Sequence, residues 1–308
     1  MNIEEIDKNF ALSPVNEPDI VWHNARELPF SLHGVFYDEN EGRYRRIPAD
    51  VAEATSAGVA DLAMRTAGGR LRFATDSPYV AVKCVTRSKG LMPHMTIAGI
   101  YGFSIYKDGV FYSIYSPQFG QIPKEGNAPM AFSELRRPHA AMGEITLYFP
   151  LYGEVSELYI GLSKDAIIDP PKPYRHEKPI LFYGSSITQG GCASRPGNDY
   201  VNKVCALLDT DFINLGFSGN AKGEPVMADY LASLDPSVYV LDYDHNAPSV
   251  EHLKRTHLPL YRKIREKHPT TPIVLISKPD FEIPLFFRIR LQHMGFQDIV
   301  SQSIAEAF

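Results

Sequence analysis

Cysteine is scarce: Cys84, Cys192 and Cys205 are all that 308 residues contain. An odd number without metal-like pairing argues against a disulfide framework or a zinc cage. Excess charge of one sign is also missing. Lys and Arg total 31 against 36 Asp and Glu, a formal net charge of −5 with no basic run. Nucleic-acid and membrane partners are therefore not expected, and a neutral or weakly charged small substrate fits best. No stretch approaches the roughly 18 apolar residues of a membrane span, and the acidic start from Met1 to Asp7 has no apolar signal core. The chain as written reads as soluble and cytoplasmic, the alternative being a mature secreted form. The oligomeric state is not legible. His252 and His257 stand five apart on an expected helix, the wrong spacing for two ligands on one face. Gly184 to Gly191 lacks both the Gly-Lys-Ser/Thr ending and the Gly-x-Gly-x-x-Gly spacing of nucleotide loops.

What is present falls into two rhythms. From Trp22 to about Ala166, short β-rich runs alternate with turn residues, among them Leu71–Thr75, Tyr79–Val85, Gly102–Tyr106, Val110–Tyr115 and Glu144–Phe149. Such spacing predicts an antiparallel sandwich of jelly-roll type, with most of Tyr101, Phe103, Tyr106, Tyr112 and Tyr115 in its core. Asp169-Pro170-Pro171-Lys172-Pro173-Tyr174 is a proline-stiffened connector that cannot continue a helix. It marks a boundary between residues 1–170 and 176–308. Beyond it, strands expected at 179–183, 212–217, 238–243 and 272–277 alternate with helical patterns. Val201, Val204, Cys205 and Leu208 mark one apolar face, and Val226, Tyr230, Leu231 and Leu234 a looser one. Val250, Leu253, His257, Tyr261 and Ile264 mark a third. This predicts a parallel three-layer α/β domain with its site at the carboxyl ends of the strands.

Three of those strand ends carry polar residues. The run Pro179–Tyr183 empties into Gly184-Ser185-Ser186-Ile187-Thr188, a tight turn that can expose a serine hydroxyl where a helix begins. The second strand ends in Ser218-Gly219-Asn220, and the third in Asp242-Tyr243-Asp244-His245-Asn246. Singly, each has a plainer reading: Ser186 as a helix cap, Gly219 as a turn glycine, Asn246 as a strand-end cap. His245 is read as structural, because strand alternation would turn it from the face of Asn246. Cys205 belongs to a helix core, and Cys192, in the Gly-rich loop six residues past Ser186, is the one candidate for a reactive thiol, though no electropositive, accessible setting is legible around it.

The ordered set of Ser turn, Ser-Gly-Asn turn and Asp-x-x-x-Asn strand end resembles the SGNH (GDSL-like) hydrolase family, in a flavodoxin-like α/β fold. The resemblance implies Ser186 as nucleophile, with Ser185 standing where many members carry Asp. It implies an oxyanion hole made by the backbone N–H groups of Ser186 and Gly219 and the side-chain amide of Asn246. No metal or organic cofactor is implied. Gly102-Phe103-Ser104-Ile105-Tyr106 is similar to the Gly-x-Asp-Leu-Tyr end of an amino-terminal β-domain found before some of these hydrolases, with Ser104 in place of Asp. The implied activity is hydrolysis of short O-acyl esters, acetyl above others, on a carbohydrate.

The family's Asp-x-x-His block is where the chain departs. The best match for the base is His293, but the position three residues earlier is Arg290. After Ser277 only 31 residues remain, fewer than the pattern's further helix, strand and loop require. The expectation is a segment shortened between about 282 and 293, by deletion or by omission from the sequence. A binding protein that kept the pocket and lost the chemistry is the rival reading.

Overall fold

The computed structural model describes residues 15–277, apart from 16, 123 and 135–140. The chain opens with β1 (Ile20–Asn24), β2 (Ser31–His33), β3 (Phe36–Asp38) and β4 (Arg43–Arg45), then two short helices, α1 (Ala49–Thr55) and α2 (Ala57–Ala63). It continues through β5 (Arg70–Thr75), β6 (Val80–Ser88), α3 (Ile97–Tyr101), β7 (Phe103–Lys107), β8 (Val110–Tyr115), β9 (Gly126–Glu134), β10 (Gly143–Tyr148), β11 (Glu154–Ser163) and β12 (Ile168–Asp169).

Apart from the separate hairpin β3-β4, these strands form two antiparallel sheets, ordered β1-β11-β6-β9 and β12-β5-β10-β7-β8, with β2 also paired to β5. Period-two burial makes them a sandwich. In β10, Ile145 and Leu147 are buried while Glu144, Thr146 and Tyr148 are half-exposed. The inner faces supply one core of Leu71, Phe73, Val82, Phe103, Ile105, Leu158 and Ile160, with Phe149 edge-on to Phe103 and Tyr44. Of the expected core aromatics, Tyr101, Phe103 and Tyr115 are fully buried. Tyr112 is exposed, and half-buried Tyr106 accepts a 2.6 Å hydrogen bond from Arg195.

The second half carries four parallel strands, β13 (His176–Gly184), β14 (Thr210–Gly216), β15 (Val238–Asp242) and β16 (Ile273–Leu275), in the order β14-β13-β15-β16. Between them lie α4 (Ser186–Gln189), α5 (Tyr200–Leu208), α6 (Pro225–Ser233) and α7 (Val250–Lys267). Buried on both faces, β13 reads as a continuous apolar run. Ile180 and Phe182 meet Val201 and Cys205 of α5 on one side; Leu181 and Tyr183 meet Met227, Leu231, Leu253 and Ile264 on the other. That is the expected three-layer arrangement. The α7 face holds as read, but two α5 positions do not. Val204 and Leu208 are exposed, because α5 packs mainly through Val201, Asn202 and Cys205. On α6 the exposed Val226 is likewise replaced in the core by Met227 and Ala228.

The packing boundary does not follow the chain boundary. Ile47, Ala52, Val59, Leu62 and Ala63 of the first half are part of the core beneath the parallel sheet. The same segment covers a sheet edge. β14 is an edge strand, so alternate carbonyls face away from β13 and need donors. Buried Arg70 donates to Phe212 O at 3.1 Å, and buried Arg46 donates to Asn214 O at 3.1 Å and Gly216 O at 2.6 Å. Arg70 also pairs with Asp211, which is held from its other oxygen by His33 at 3.1 Å. Among the described residues no helix is long and apolar enough to cross a membrane.

Candidate active site

The order β14-β13-β15 means that the chain leaves β13 to one side first and returns to the other side later. The loops after these three strands therefore open at a topological switch point, where ligands of open α/β sheets bind. The registers Gly184↔Gly216 and Gly184↔Asp242 bring the three strand ends level. Cross-links then tie the loops together: Ser185 N–H donates to Asp242 O at 2.9 Å and Phe217 N–H to Gly184 O at 2.8 Å. Gly184 is needed for closeness, since a Cβ there would lie 2.2 Å from Thr188 Oγ1.

Ser186 is the first residue of α4. Ser185 caps that helix, its Oγ accepting from Ile187 N–H at 3.2 Å, and Gly190 closes it in the left-handed region. The cap role read as the plainer alternative for Ser186 thus belongs to its neighbour. Ser186 is half-buried, and neither its hydroxyl nor its backbone N–H has a partner among the described residues.

The Phe217 carbonyl organises the second loop. It accepts from Asn220 N–H at 2.9 Å, Ala221 N–H at 3.0 Å and Asn246 Nδ2 at 3.0 Å. The turn so formed puts Gly219 at φ +68°, exposed and with its N–H unpaired among the described residues. A side chain would meet no neighbour there, so the requirement for glycine is conformational. Asn246 spends one amide hydrogen on Phe217 and keeps a second. It lies on a 3-10 turn, Asp244–Asn246, not on a strand. The alternation argument that turned His245 away therefore does not apply; His245 is half-buried, with Nε2 at 3.9 Å from Asp244 Oδ1.

Ser186, Gly219 and Asn246 thus stand on the three adjoining loops. His293, Arg290 and the segment 282–293 lie outside the described residues.

Three supporting side chains, Asp242 of the Asp-x-x-x-Asn strand end among them, had no role assigned from the sequence. Gln189 is buried; its Nε2 donates to Leu151 O of the sandwich at 3.2 Å, and its Oε1 accepts from Ser218 N–H at 3.0 Å. Asp242 is buried at the end of β15, its Oδ2 accepting from Thr188 Oγ1 at 3.0 Å and Tyr200 OH at 3.3 Å. Burial pushes the Asp242 carboxyl up to about 6, the two hydroxyls opposing the shift. Arg46 is the third, with its guanidinium on the carbonyls that lead into the Ser218–Asn220 turn. Their signals were weak: Gln189 sits inside the Ser186 block, but nothing local marks Arg46. Asp242, Asp244 and His245 bring one ligand atom each within 4.8 Å of one another. The set suits a cation poorly, because Asp242 Oδ2 already accepts from two hydroxyls.

A family model described as GDSL-like lipase/acylhydrolase matches residues 177–307, and one described as the N-terminus of esterases of the SGNH-hydrolase type matches residues 20–168. No curated protein matches the chain. Among solved structures, a candidate GDSL-like lipase from Bacteroides ovatus ATCC 8483 is 30% identical, with a TM-score of 0.76 over 94% of this chain and 82% of that one. The salicylyl-acyltransferase SsfX3 of a tetracycline biosynthetic pathway is 18% identical, with a TM-score of 0.72 over 94% and 81%. The acetyl xylan esterase Est2A from the rumen bacterium Butyrivibrio proteoclasticus is 10% identical, with a TM-score of 0.53 over 93% and 86%, and shares the fold. Two matching family models in order and 30% identity across nearly the whole length place the chain in the GDSL-like lipase/acylhydrolase family: it is an SGNH-type serine hydrolase with the amino-terminal β-domain of that esterase type.

Proposed function

We propose that the protein hydrolyses short O-acyl esters, acetyl above others, carried on a carbohydrate, through an acyl-enzyme on Ser186. One observation carries this reading. At the switch point the Ser186 hydroxyl, the Ser186 N–H and the Gly219 N–H lack partners among the described residues. A nucleophile needs the first, and a developing oxyanion needs the other two.

Ser186 Oγ attacks the ester carbonyl carbon as its proton passes to a base, which His293 supplies in this reading. The carbonyl oxygen becomes an oxyanion that accepts from Ser186 N–H, Gly219 N–H and the spare Asn246 amide hydrogen. Collapse breaks the bond to the alcohol oxygen, which leaves with the proton; water then attacks the acyl-serine with the same base, releasing the acid and restoring Ser186. The short acyl group is supported by the lack, among the described residues, of a long exposed apolar run that would line a lipid funnel. The carbohydrate is supported by the acetyl xylan esterase of the same fold, together with a formal net charge of only −5 and no basic run.

The test is hydrolysis of 4-nitrophenyl acetate and of mono-O-acetylated pyranosides by wild type and by Ser186→Ala. Activity should vanish in the variant while the circular dichroism spectrum is unchanged, and a serine-directed phosphonate should add its mass at Ser186. Turnover that survives Ser186→Ala would remove the assignment, and a folded wild type inert on every ester would favour the ligand-binding alternative.

A further inference from the structure

Beside the oxyanion loop lies a cavity of about 310 Å³, built jointly by the two halves of the chain. Its site-facing wall is Ser218 and Asn220, the two neighbours of Gly219; its other walls include Tyr152, Asp61, Arg65 and Lys89. The volume lies at the low end of the ~300–1,000 Å³ of small-molecule sites, room for one compact unit. The contact with the catalytic loop is direct. Tyr152 and Ser218 line the same cavity, and Asn220 Nδ2 donates back to Ser218 O at 2.8 Å.

The wall chemistry selects the ligand. Asp61 is salt-bridged to Arg65 at 3.0 Å and to Lys89, and buried Glu154 stands behind them, 3.7 Å from Arg65 and 3.9 Å from Lys89. Arg43 also holds Glu154, at 2.8 Å, so three cations and two anions are already paired with one another and none stands ready for an ionic ligand. Lys89 and Asp61 are each 38% exposed and keep hydrogen-bonding capacity toward the cavity side. The Arg65 side chain is 8% exposed, and its Nε has no hydrogen-bond partner among the described residues. Donors and acceptors side by side match vicinal hydroxyls, each of which gives and takes a hydrogen bond; an acyl chain would leave these charges desolvated and unmatched.

Resting on the esterase reading above, we infer that this interdomain cavity is the subsite for the alcohol half of the ester, and that it takes a neutral polyhydroxylated unit the size of one sugar ring. The sandwich then has a function beyond support, since Lys89 and Tyr152 bring recognition to a nucleophile carried by the parallel sheet.

The experiment uses the full chain and a panel of mono-O-acetylated methyl pyranosides, with 4-nitrophenyl acetate as reference. Asp61→Ala removes a polar wall, and Met92→Trp, at another cavity-lining position, fills the space. In both variants the ratio of kcat/KM for the best acetyl-pyranoside to that for the aryl acetate should fall about tenfold or more, as expected when a hydrogen bond to a charged group is lost. Deacetylated methyl pyranoside should give saturation-transfer NMR signals with Ser186→Ala that weaken when Asp61→Ala is added. Ratios unchanged in both folded variants would overturn the subsite while leaving the esterase intact. So would a wild type that cleaves the aryl ester but none of the panel, or one that prefers an acetylated uronate over its neutral counterpart by more than about tenfold. Loss of every Ser186-dependent hydrolysis would overturn the esterase reading itself, and the alcohol subsite with it.

Discussion

Asp242→Asn should make the protein more stable, and by an amount that grows with pH. The native carboxyl titrates near 6 against an ordinary value of 3.8, because burial at the end of β15 disfavours its charge. Unfolding returns it to water, where it ionises lower. The folded state therefore holds the proton across that window, and wild-type stability falls as pH rises from about 4 to about 6. Below 3.8 the penalty is absent, and above 6 it is fully present. At about 1.4 kcal/mol per pH unit, the ionised buried carboxyl costs about 3 kcal/mol at neutral pH. Asparagine keeps an oxygen for the Thr188 and Tyr200 hydroxyls and never ionises. Urea unfolding followed by circular dichroism should show the variant ahead by about 1 kcal/mol near pH 4.5 and about 3 kcal/mol above pH 7, other groups cancelling between the two proteins. A difference that does not change with pH, or one that shrinks as pH rises, would refute the reasoning.

Asn246→Ala should lower kcat by about 10²–10³ with little change in KM, since the amide meets charge present mainly in the transition state; a loss spread into KM would make it a substrate-binding residue. Arg46→Met should cost at least about 3 kcal/mol in chemical unfolding, because the carbonyls of Leu62, Asn214 and Gly216 lose their donor together. Gly219→Ala, with open space for its methyl but φ at +68°, should cost roughly 1–2 kcal/mol without a clash. Thiol titration of the native protein should find one reactive cysteine, exposed Cys192. Cys84 and Cys205 are buried and their thiols pushed up, Cys205 to about 12; three should react in denaturant.

The local sequence determined much of the α/β half. Continuous apolar runs such as Pro179–Tyr183, bounded by turn residues, read as strands buried on both faces, and the small residues after them as turns, so the placing of Ser186 and Gly219 at strand ends was legible. The alternation of Glu144–Phe149 likewise determined a half-buried strand. Helix faces were legible where a helix is sandwiched, as at Leu253, His257, Tyr261 and Ile264, but less so on α5, where apolar Leu207 is 87% exposed and spacing alone cannot tell which side meets the sheet. Tertiary structure decided what depends on residues far apart in the chain. Arg46 finds its role only because β14 lies at the sheet edge with outward carbonyls 168 and 170 residues away. The Asp242 carboxyl is pushed up to about 6 only because the assembled fold buries the end of β15, against the two hydroxyls that hold its charged form. The cavity beside Gly219 exists only where α2 and the sandwich meet the second loop. Periodicity and turn chemistry act over a few residues and can be read from them; burial, edge pairing and pocket shape are properties of the assembled surface, and no short window of sequence contains them.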